Sequence, residues 1–300
     1  MLHSRSPVRN ISGFLTVFNV KCPWGLRRFG LPSRTSKSGG RRPTMTLQQW
    51  KATCDKVTDE MLAHTRQFVT PLGTETERDV RLVGTGSYVS REARRVLLTC
   101  EHVAVVQPMH YRFHGCDDVF EHPGPWTMES HPVDAAFASI SDPAWEACIH
   151  QAQPIPYQRF GPRHAPADRA ELLFFRGFSG ENARYAFGLH QTNGSGYATQ
   201  EKENSGDDQI FELFWEPENI ELTSQTSPEA AEEMKFEEAG GFSGSLVWNT
   251  RYIEVTRRGV QWTPEDAVVT GLLRRWDKDT RTLLAWRVEH LRAWLDAKGA

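Results

Sequence analysis

Three stretches of this chain bring together residue types that could attack a carbonyl. In Leu97-Leu98-Thr99-Cys100-Glu101-His102 an apolar run ends in a histidine, the side chain best suited to moving a proton near neutral pH. In Asp134-Ala135-Ala136-Phe137-Ala138-Ser139-Ile140 an aspartate heads an apolar run, so its carboxylate can lie at a buried strand end. In Gly240-Gly241-Phe242-Ser243-Gly244-Ser245-Leu246-Val247 glycines bracket a serine. A serine nucleophile needs a base to take its proton and backbone N–H groups aimed at the oxygen that becomes negative. Aiming two N–H groups at one point bends the chain into conformations that glycine adopts cheaply. Gly241 and Ser243 are placed to supply those donors. Singly, each motif also reads structurally, as a strand-end histidine, a strand-opening aspartate and a glycine-rich turn. Together they assign His102 as base, Asp134 as the group that orients it and Ser243 as nucleophile.

Other residues compete for the same roles. The tetrapeptide Gly-Phe-Ser-Gly occurs twice, at Gly177–Gly180 and at Gly241–Gly244, which makes Ser179 a rival nucleophile. Neither copy continues as Gly-x-Ser-x-Gly, because Glu181 and Ser245 hold the fifth position. After Ser179 the chain runs through Glu181, Asn182 and Arg184, which reads as a hairpin turn. None of Cys22, Cys54, Cys100, Cys116 and Cys148 has the glycine-flanked context of a nucleophile. Their odd number and irregular spacing do not make a disulfide framework, and reduced thiols in a cytoplasmic protein are the simpler reading. His110, His114 and Cys116 are metal-ligating types, but no second close pair completes a zinc site, so neither a metal nor a cofactor is expected.

The elements that must position these residues are mostly short strands. Apolar runs at Leu82–Val89, Val96–Thr99, Ala135–Ile140, Leu172–Arg176, Tyr185–Gln191, Ile210–Trp215, Leu246–Trp248 and Ala267–Leu273 alternate with Gly, Asn, Asp and Pro. That density of strands predicts an all-β barrel or sandwich. A helix is expected from Thr46, because Thr46 and Gln49 have capping-box spacing. Leu47, Trp50, Cys54, Val57, Met61 and Phe68 then fall on one stripe, and Pro71 ends the segment. A second helix is expected over Arg287–Lys298, with Val288, Leu291 and Leu295 on one face and Gly299 beyond its end. The polar stretch Thr223–Lys235 reads as a loop.

The three motifs occur in the order His, Asp, Ser, separated by 32 and 109 residues. Subtilisin-type and α/β-hydrolase enzymes use other orders. Thr99-Cys100-Glu101-His102 resembles the T-A-x-H pattern of the trypsin-like, chymotrypsin-fold serine proteases. Asp134-Ala135-Ala136-Phe137 resembles their D-[IV]-A-L, and Gly241-Phe242-Ser243-Gly244-Ser245 their G-[DN]-S-G-G. Gly84-Thr85-Gly86-Ser87-Tyr88 is similar to their opening strand. The resemblance is to a bacterial-style form without disulfides and covers roughly residues 80–295. It implies two antiparallel six-stranded β-barrels with the triad between them, the first at about 80–150 and the second at about 165–285. It implies a serine endopeptidase acting through an acyl-enzyme on Ser243, with the amides of Gly241 and Ser243 as oxyanion hole. It also places Glu237, six residues before the nucleophile, at the base of the primary specificity pocket, where a buried carboxylate would favour cleavage after basic residues. Phe242 stands where the family has Asp or Asn, and Ser245 where it has a second glycine. Phe242 has no charge with which to pair a new N-terminus, so zymogen activation of that kind is not expected. A weakly active or inactive protease-fold binding module, and an esterase with the same triad, are the alternatives.

Composition bounds the rest. Hydrophobic residues make up 39% and charged residues 24% of the 300, an ordinary globular balance. No run approaches the ~18 apolar residues of a membrane helix, so no membrane partner is expected. Residues 1–44 carry seven Arg, two Lys and no Asp or Glu, leaving 26 Lys+Arg against 38 Asp+Glu and a charge of −12 beyond them. That segment reads as a disordered basic tail or presequence, followed by a helix and linker over 45–75 and the protease domain over 76–299. The basic segment lacks the aromatic interleaving of a nucleic-acid binder, so the expected partner is a protein or peptide substrate.

Overall fold

The computed structural model describes residues 15–18, 45–75, 80–122, 124–186, 189–203, 207–233, 235 and 237–300. In chain order these form β1 (Leu15–Phe18), α1 (Leu47–Thr65), β2 (Val69–Glu75), β3 (Val80–Arg91), β4 (Arg94–Thr99) and α2 (Glu101–Ala104). Next come β5 (His110–Tyr111), β6 (Phe120–Glu121), β7 (Thr127–Glu129), β8 (Ala135–Ile140), α3 (Asp142–Trp145) and β9 (Ile155–Pro156). The second half holds β10 (Leu173–Ala186), β11 (Leu189–Thr199), β12 (Ile210–Phe214), β13 (Glu221–Leu222) and α4 (Pro228–Glu233). It ends with β14 (Leu246–Asn249), α5 (Tyr252–Arg257), β15 (Val268–Asp277), β16 (Thr282–Arg287) and α6 (Val288–Lys298).

The strands make two sheets. One runs β6-β5-β2-β3-β4-β8-β7, with β9 beside β3, and the other β12-β16-β15-β14-β10-β11-β1-β13. This is the expected all-β, two-lobed architecture with a helix near each end. The strand count differs, eight in each sheet among the described residues against six. The extra members are mainly pieces of two to four residues (β1, β5, β6, β7, β9 and β13), too short to show a period of two in sequence. Two pairings, β1 with β11 and β3 with β9, are parallel.

Other expectations are corrected. Leu15–Phe18, placed in a disordered tail, is a strand in the second sheet between β11 and β13. The first sheet begins before residue 76, because Val69–Glu75 pairs with β3 throughout rather than linking. Pro71 sits inside β2 at a near-edge position, since β2 meets β5 only at Gly73. The stretch Thr223–Lys235 includes a helical turn, α4. Tyr185–Gln191 is not one strand but the end of β10 and the start of β11, and the sequence after Ser179 is a bulge, where the register shifts between Phe178 and Ala183.

Packing explains why the second-sheet strands read as apolar runs. On β10, Leu173 and Phe175 join one core with Tyr197, Phe211, Trp215 and Phe242, while Phe174 joins the other. On β14, Val247 faces the first of these and Leu246 and Trp248 the second. A sheet covered on both faces has no polar side to show. The capping box at Thr46 forms: Gln49 N–H donates to Thr46 Oγ1 at 3.2 Å, and Thr46 N–H donates to Gln49 Oε1 at 2.8 Å. At the other end α6 crosses back to the first sheet. Trp294 packs edge-on against Phe137 of β8, and its indole N–H donates to Glu129 at 3.0 Å. Among the described residues no helix is long and apolar enough to cross a membrane.

Candidate active site

β4 delivers His102 and β8 delivers Asp134. These strands are neighbours, paired from Arg95↔Ile140 to Thr99↔Ala136, so both side chains emerge at the same end of the first sheet. His102 lies in the one-turn helix α2, with its side chain 40% exposed, and Asp134 is buried. His102 Nδ1 is 2.9 and 3.0 Å from the two Asp134 oxygens, and the His102 backbone N–H also donates to Oδ1 at 3.2 Å. A carboxylate partner puts the proton on Nδ1, which leaves Nε2 with the lone pair of a general base. Asp134 takes a left-handed φ of 50°, uncommon outside glycine and tolerated best by Asp and Asn. Ser130 holds the approach, accepting from the Asp134 N–H at 3.2 Å while its hydroxyl donates to Glu101 at 2.9 Å.

β15 of the second sheet contributes two further charges. Arg274 Nε is 3.8 Å and Arg275 Nε 3.9 Å from Asp134 Oδ2, and Arg274 is buried. Burial is the largest influence on Asp134 and acts upward on its pKa. The hydrogen bonds and charge of His102, with the Arg274 guanidinium, together outweigh it, so the carboxyl titrates below its ordinary range. Sequence reasoning passed over Arg274, because an arginine late in an apolar strand carries no motif.

The serine turn is held from three sides. Thr85 N–H donates to Ser243 O at 2.9 Å, Thr85 Oγ1 donates to Gly241 O at 2.9 Å, and Phe178 N–H donates to Thr85 Oγ1 at 3.0 Å. Thr85, on β3, therefore ties the turn at Ser243 to both sheets. Sequence matching had included it only as part of an opening strand. Gly244 N–H donates to Leu273 O at 2.8 Å. Gly241 and Gly244 have φ of 97° and 92°, and a Cβ at Gly244 would stand 2.0 Å from Thr85 O, so only glycine fits there. Phe242 is buried against the rings of Phe175, Tyr197 and Trp215, with centroids 5.4, 5.1 and 5.9 Å away. An apolar anchor thus stands where the family has a charged or polar one. Ser245 is buried against Gly177. Among the described residues neither the Gly241 nor the Ser243 N–H donates to a protein acceptor. The Ser243 hydroxyl donates to Arg274 O at 2.9 Å, and no hydrogen bond joins it to His102 among the described residues.

The remaining candidates separate. Ser179 is buried within β10, next to Gly180, whose N–H donates to Gly240 O at 2.8 Å. Glu237 is exposed, as is Glu238, which pairs with Lys278 at 3.2 Å. The expected buried carboxylate at the pocket base is therefore not Glu237; the loop before the turn runs along the surface, and counting back six residues misplaces it. Cys100 Sγ, His102 and Asp134 offer ligand atoms within 4.8 Å of one another, the one such group among the described residues, so His110, His114 and Cys116 are not gathered as ligands. The Cys100 thiol contacts Leu273 O at 3.2 Å, and burial holds its pKa well above the usual range. With His102 Nδ1 committed to Asp134 and two guanidiniums facing that carboxylate, this group is a poor metal donor set. A cavity of about 680 Å³ opens beyond α2, lined by Val105, Pro108, His122, Trp126 and Met128 among others.

Arg274→Met removes a buried charge beside Asp134 and raises that residue's pKa. With its folded pKa depressed, Asp134 contributes stability that is complete above the unfolded value of about 3.9 and is lost as pH falls through the folded pKa. A smaller depression means a smaller contribution, so the variant unfolds at higher pH on acidification than the parent. Carboxyl-carbon NMR titration of Asp134 reads the cause directly. An unmoved Asp134 midpoint in the variant would show that the guanidinium does not act on it.

No family model and no curated protein matches the chain. The chain is similar in shape to solved serine proteases. Neuropsin, a serine protease expressed in mouse brain, aligns over 79% of this chain and 96% of its own at 12% identity, with a TM-score of 0.44. The serine protease domain of the Sesbania mosaic virus polyprotein aligns over 76% and 92% at 11% identity, TM-score 0.43. The inactive form of Rv3671c from M. tuberculosis, a serine-to-alanine mutant, aligns over 81% and 92% at 15% identity, TM-score 0.45.

Proposed function

We propose that this protein is a serine endopeptidase that acylates Ser243. The observation that carries the reading is the His102–Asp134 pair at 2.9 Å beside a serine turn whose Gly241 and Ser243 amides have no internal acceptor among the described residues. His102 Nε2 takes the hydroxyl proton as Ser243 Oγ attacks the substrate carbonyl. Asp134 keeps the imidazole in its tautomer and stabilises the imidazolium. The amides of Gly241 and Ser243 receive the oxyanion, His102 returns the proton to the leaving amine, and water then releases the acyl group. To begin, the Ser243 hydroxyl turns from Arg274 O to His102; such contacts often tighten only around substrate. An exposed Glu237 can favour a basic side chain only through charge that solvent and salt screen.

A second reading, a protease-fold binding module, draws support from the Ser243 hydrogen bond to Arg274 O rather than to His102. A fluorophosphonate probe separates the two, followed by panels of peptide and ester substrates. The folded peptidase takes up one label per chain on Ser243 and cuts peptides. Failure to label while folded would leave the binding module, and turnover of esters alone would make the protein an esterase.

A further inference from the structure

Two cysteines that the site does not use lie together at the edge of the first core. Gln151 N–H donates to His114 O at 2.7 Å, so the segment at 114 and the segment at 151 lie side by side. Gly115, at φ 78°, turns the chain against Gln151, whose Cγ would be 3.0 Å from a Cβ at that position. Cys116 N–H closes the turn onto Phe113 O at 3.1 Å. On the other segment the His150 ring stacks on Phe113 with centroids 4.3 Å apart and is hydrogen-bonded to Trp145 O at 2.7 Å. Trp145 itself packs edge-on against Phe113 at 5.1 Å. Two residues past His114 is Cys116, and three before Gln151 is Cys148. Ile149, next to Cys148, is 95% exposed. Both cysteines are half-buried against the same core. Cys54 and Cys100, by contrast, are wholly buried.

We infer that Cys116 and Cys148 form a dithiol held to close into a disulfide when the protein meets a small disulfide oxidant of the glutathione class. Cys116, 3.8 Å from the exposed Asp118 carboxylate, attacks a sulfur of the oxidant and one thiol leaves. Cys148 then attacks the Cys116 sulfur and releases the second thiol. In total two protein S–H bonds and the oxidant's S–S bond break, and one protein S–S bond forms. The two electrons and two protons pass to the oxidant. Burial, then the neighbouring Cys116, push Cys148 up to about 12, which favours Cys116 as the sulfur that attacks first. The bond closes the segment from Cys116 to Cys148, which includes β8 and Asp134, and restricts the unfolded chain there.

The test treats the full chain with oxidised glutathione and follows it by peptide mass spectrometry and thermal melting. The expected product lacks two hydrogens, yields a linked Cys116–Cys148 peptide and melts several degrees higher, reversibly with a reducing agent. Cys116→Ser and Cys148→Ser each lose both the link and the shift. A glutathione adduct that persists on either cysteine, a link that uses Cys22, Cys54 or Cys100, or two thiols that stay free to alkylate would overturn the inference. The mass readout on the unaltered protein decides the matter even where a variant folds poorly.

Discussion

Ser243→Ala is expected to abolish fluorophosphonate labelling and to lower peptide hydrolysis by roughly 10⁴- to 10⁶-fold, while leaving the fold and peptide binding in place. The loss is expected to be large because, in the proposed mechanism, the acyl-enzyme forms on this hydroxyl. Ser179→Ala is the matched control. Its hydroxyl is buried in β10, so that variant keeps both labelling and turnover. His102→Ala should lose nearly as much as Ser243→Ala, and the double variant little more, since members of one catalytic unit are not additive. Equal loss from Ser179→Ala in folded protein, or undiminished turnover by Ser243→Ala, would sink the proposed mechanism. Measuring all four variants with one peptide substrate gives the comparison.

The largest effect on stability is expected at Phe242. Its ring fills a site made by Phe175, Tyr197 and Trp215, and it is 1% exposed. Truncation to alanine leaves a cavity that these rings cannot close, at a cost of about 3–5 kcal/mol. The adjoining Gly241 and Ser243 amides then lose the anchor that fixes their direction, so turnover falls further than the folded fraction does. Phe242→Asp, which would place there the residue usual in trypsin-like serine proteases, is expected to be worse. It buries a carboxylate among aromatic rings, with no cation shown beside Phe242. Phe242→Leu keeps most of the packing and should lie between alanine and the parent. Denaturant midpoints rank the three variants. An alanine variant that unfolds at the parent's midpoint would mean that Phe242 does not anchor the turn.

The proposed site was legible in part, in the His102–Asp134 pair and the glycine-bracketed turn at Ser243, because each carries a local signature. A serine nucleophile requires glycines beside it, and Gly241 and Gly244 take the positive φ angles that this requirement implies. The capped helix at Thr46 and the closing helix ending at Gly299 were legible for the same reason, since helix ends are satisfied by neighbours three or four residues away. What depends on partners far along the chain was not. Short strands such as β5, β6 and β13 exist only because a neighbouring strand accepts their hydrogen bonds, and no period shows in two residues. Leu15–Phe18 becomes a strand because β11 offers it an edge about 180 residues away in sequence. Glu237 could be counted back from Ser243, but its burial could not, because the path of the loop decides which side chains face in. Arg274 meets Asp134 only where the two sheets adjoin, across 140 residues of sequence, and Thr85 meets Ser243 across 158. The sequence alone thus determined which residues could do chemistry and in what order. The tertiary structure alone decided which charges surround them, because electrostatic environment is a property of neighbours in space rather than along the chain.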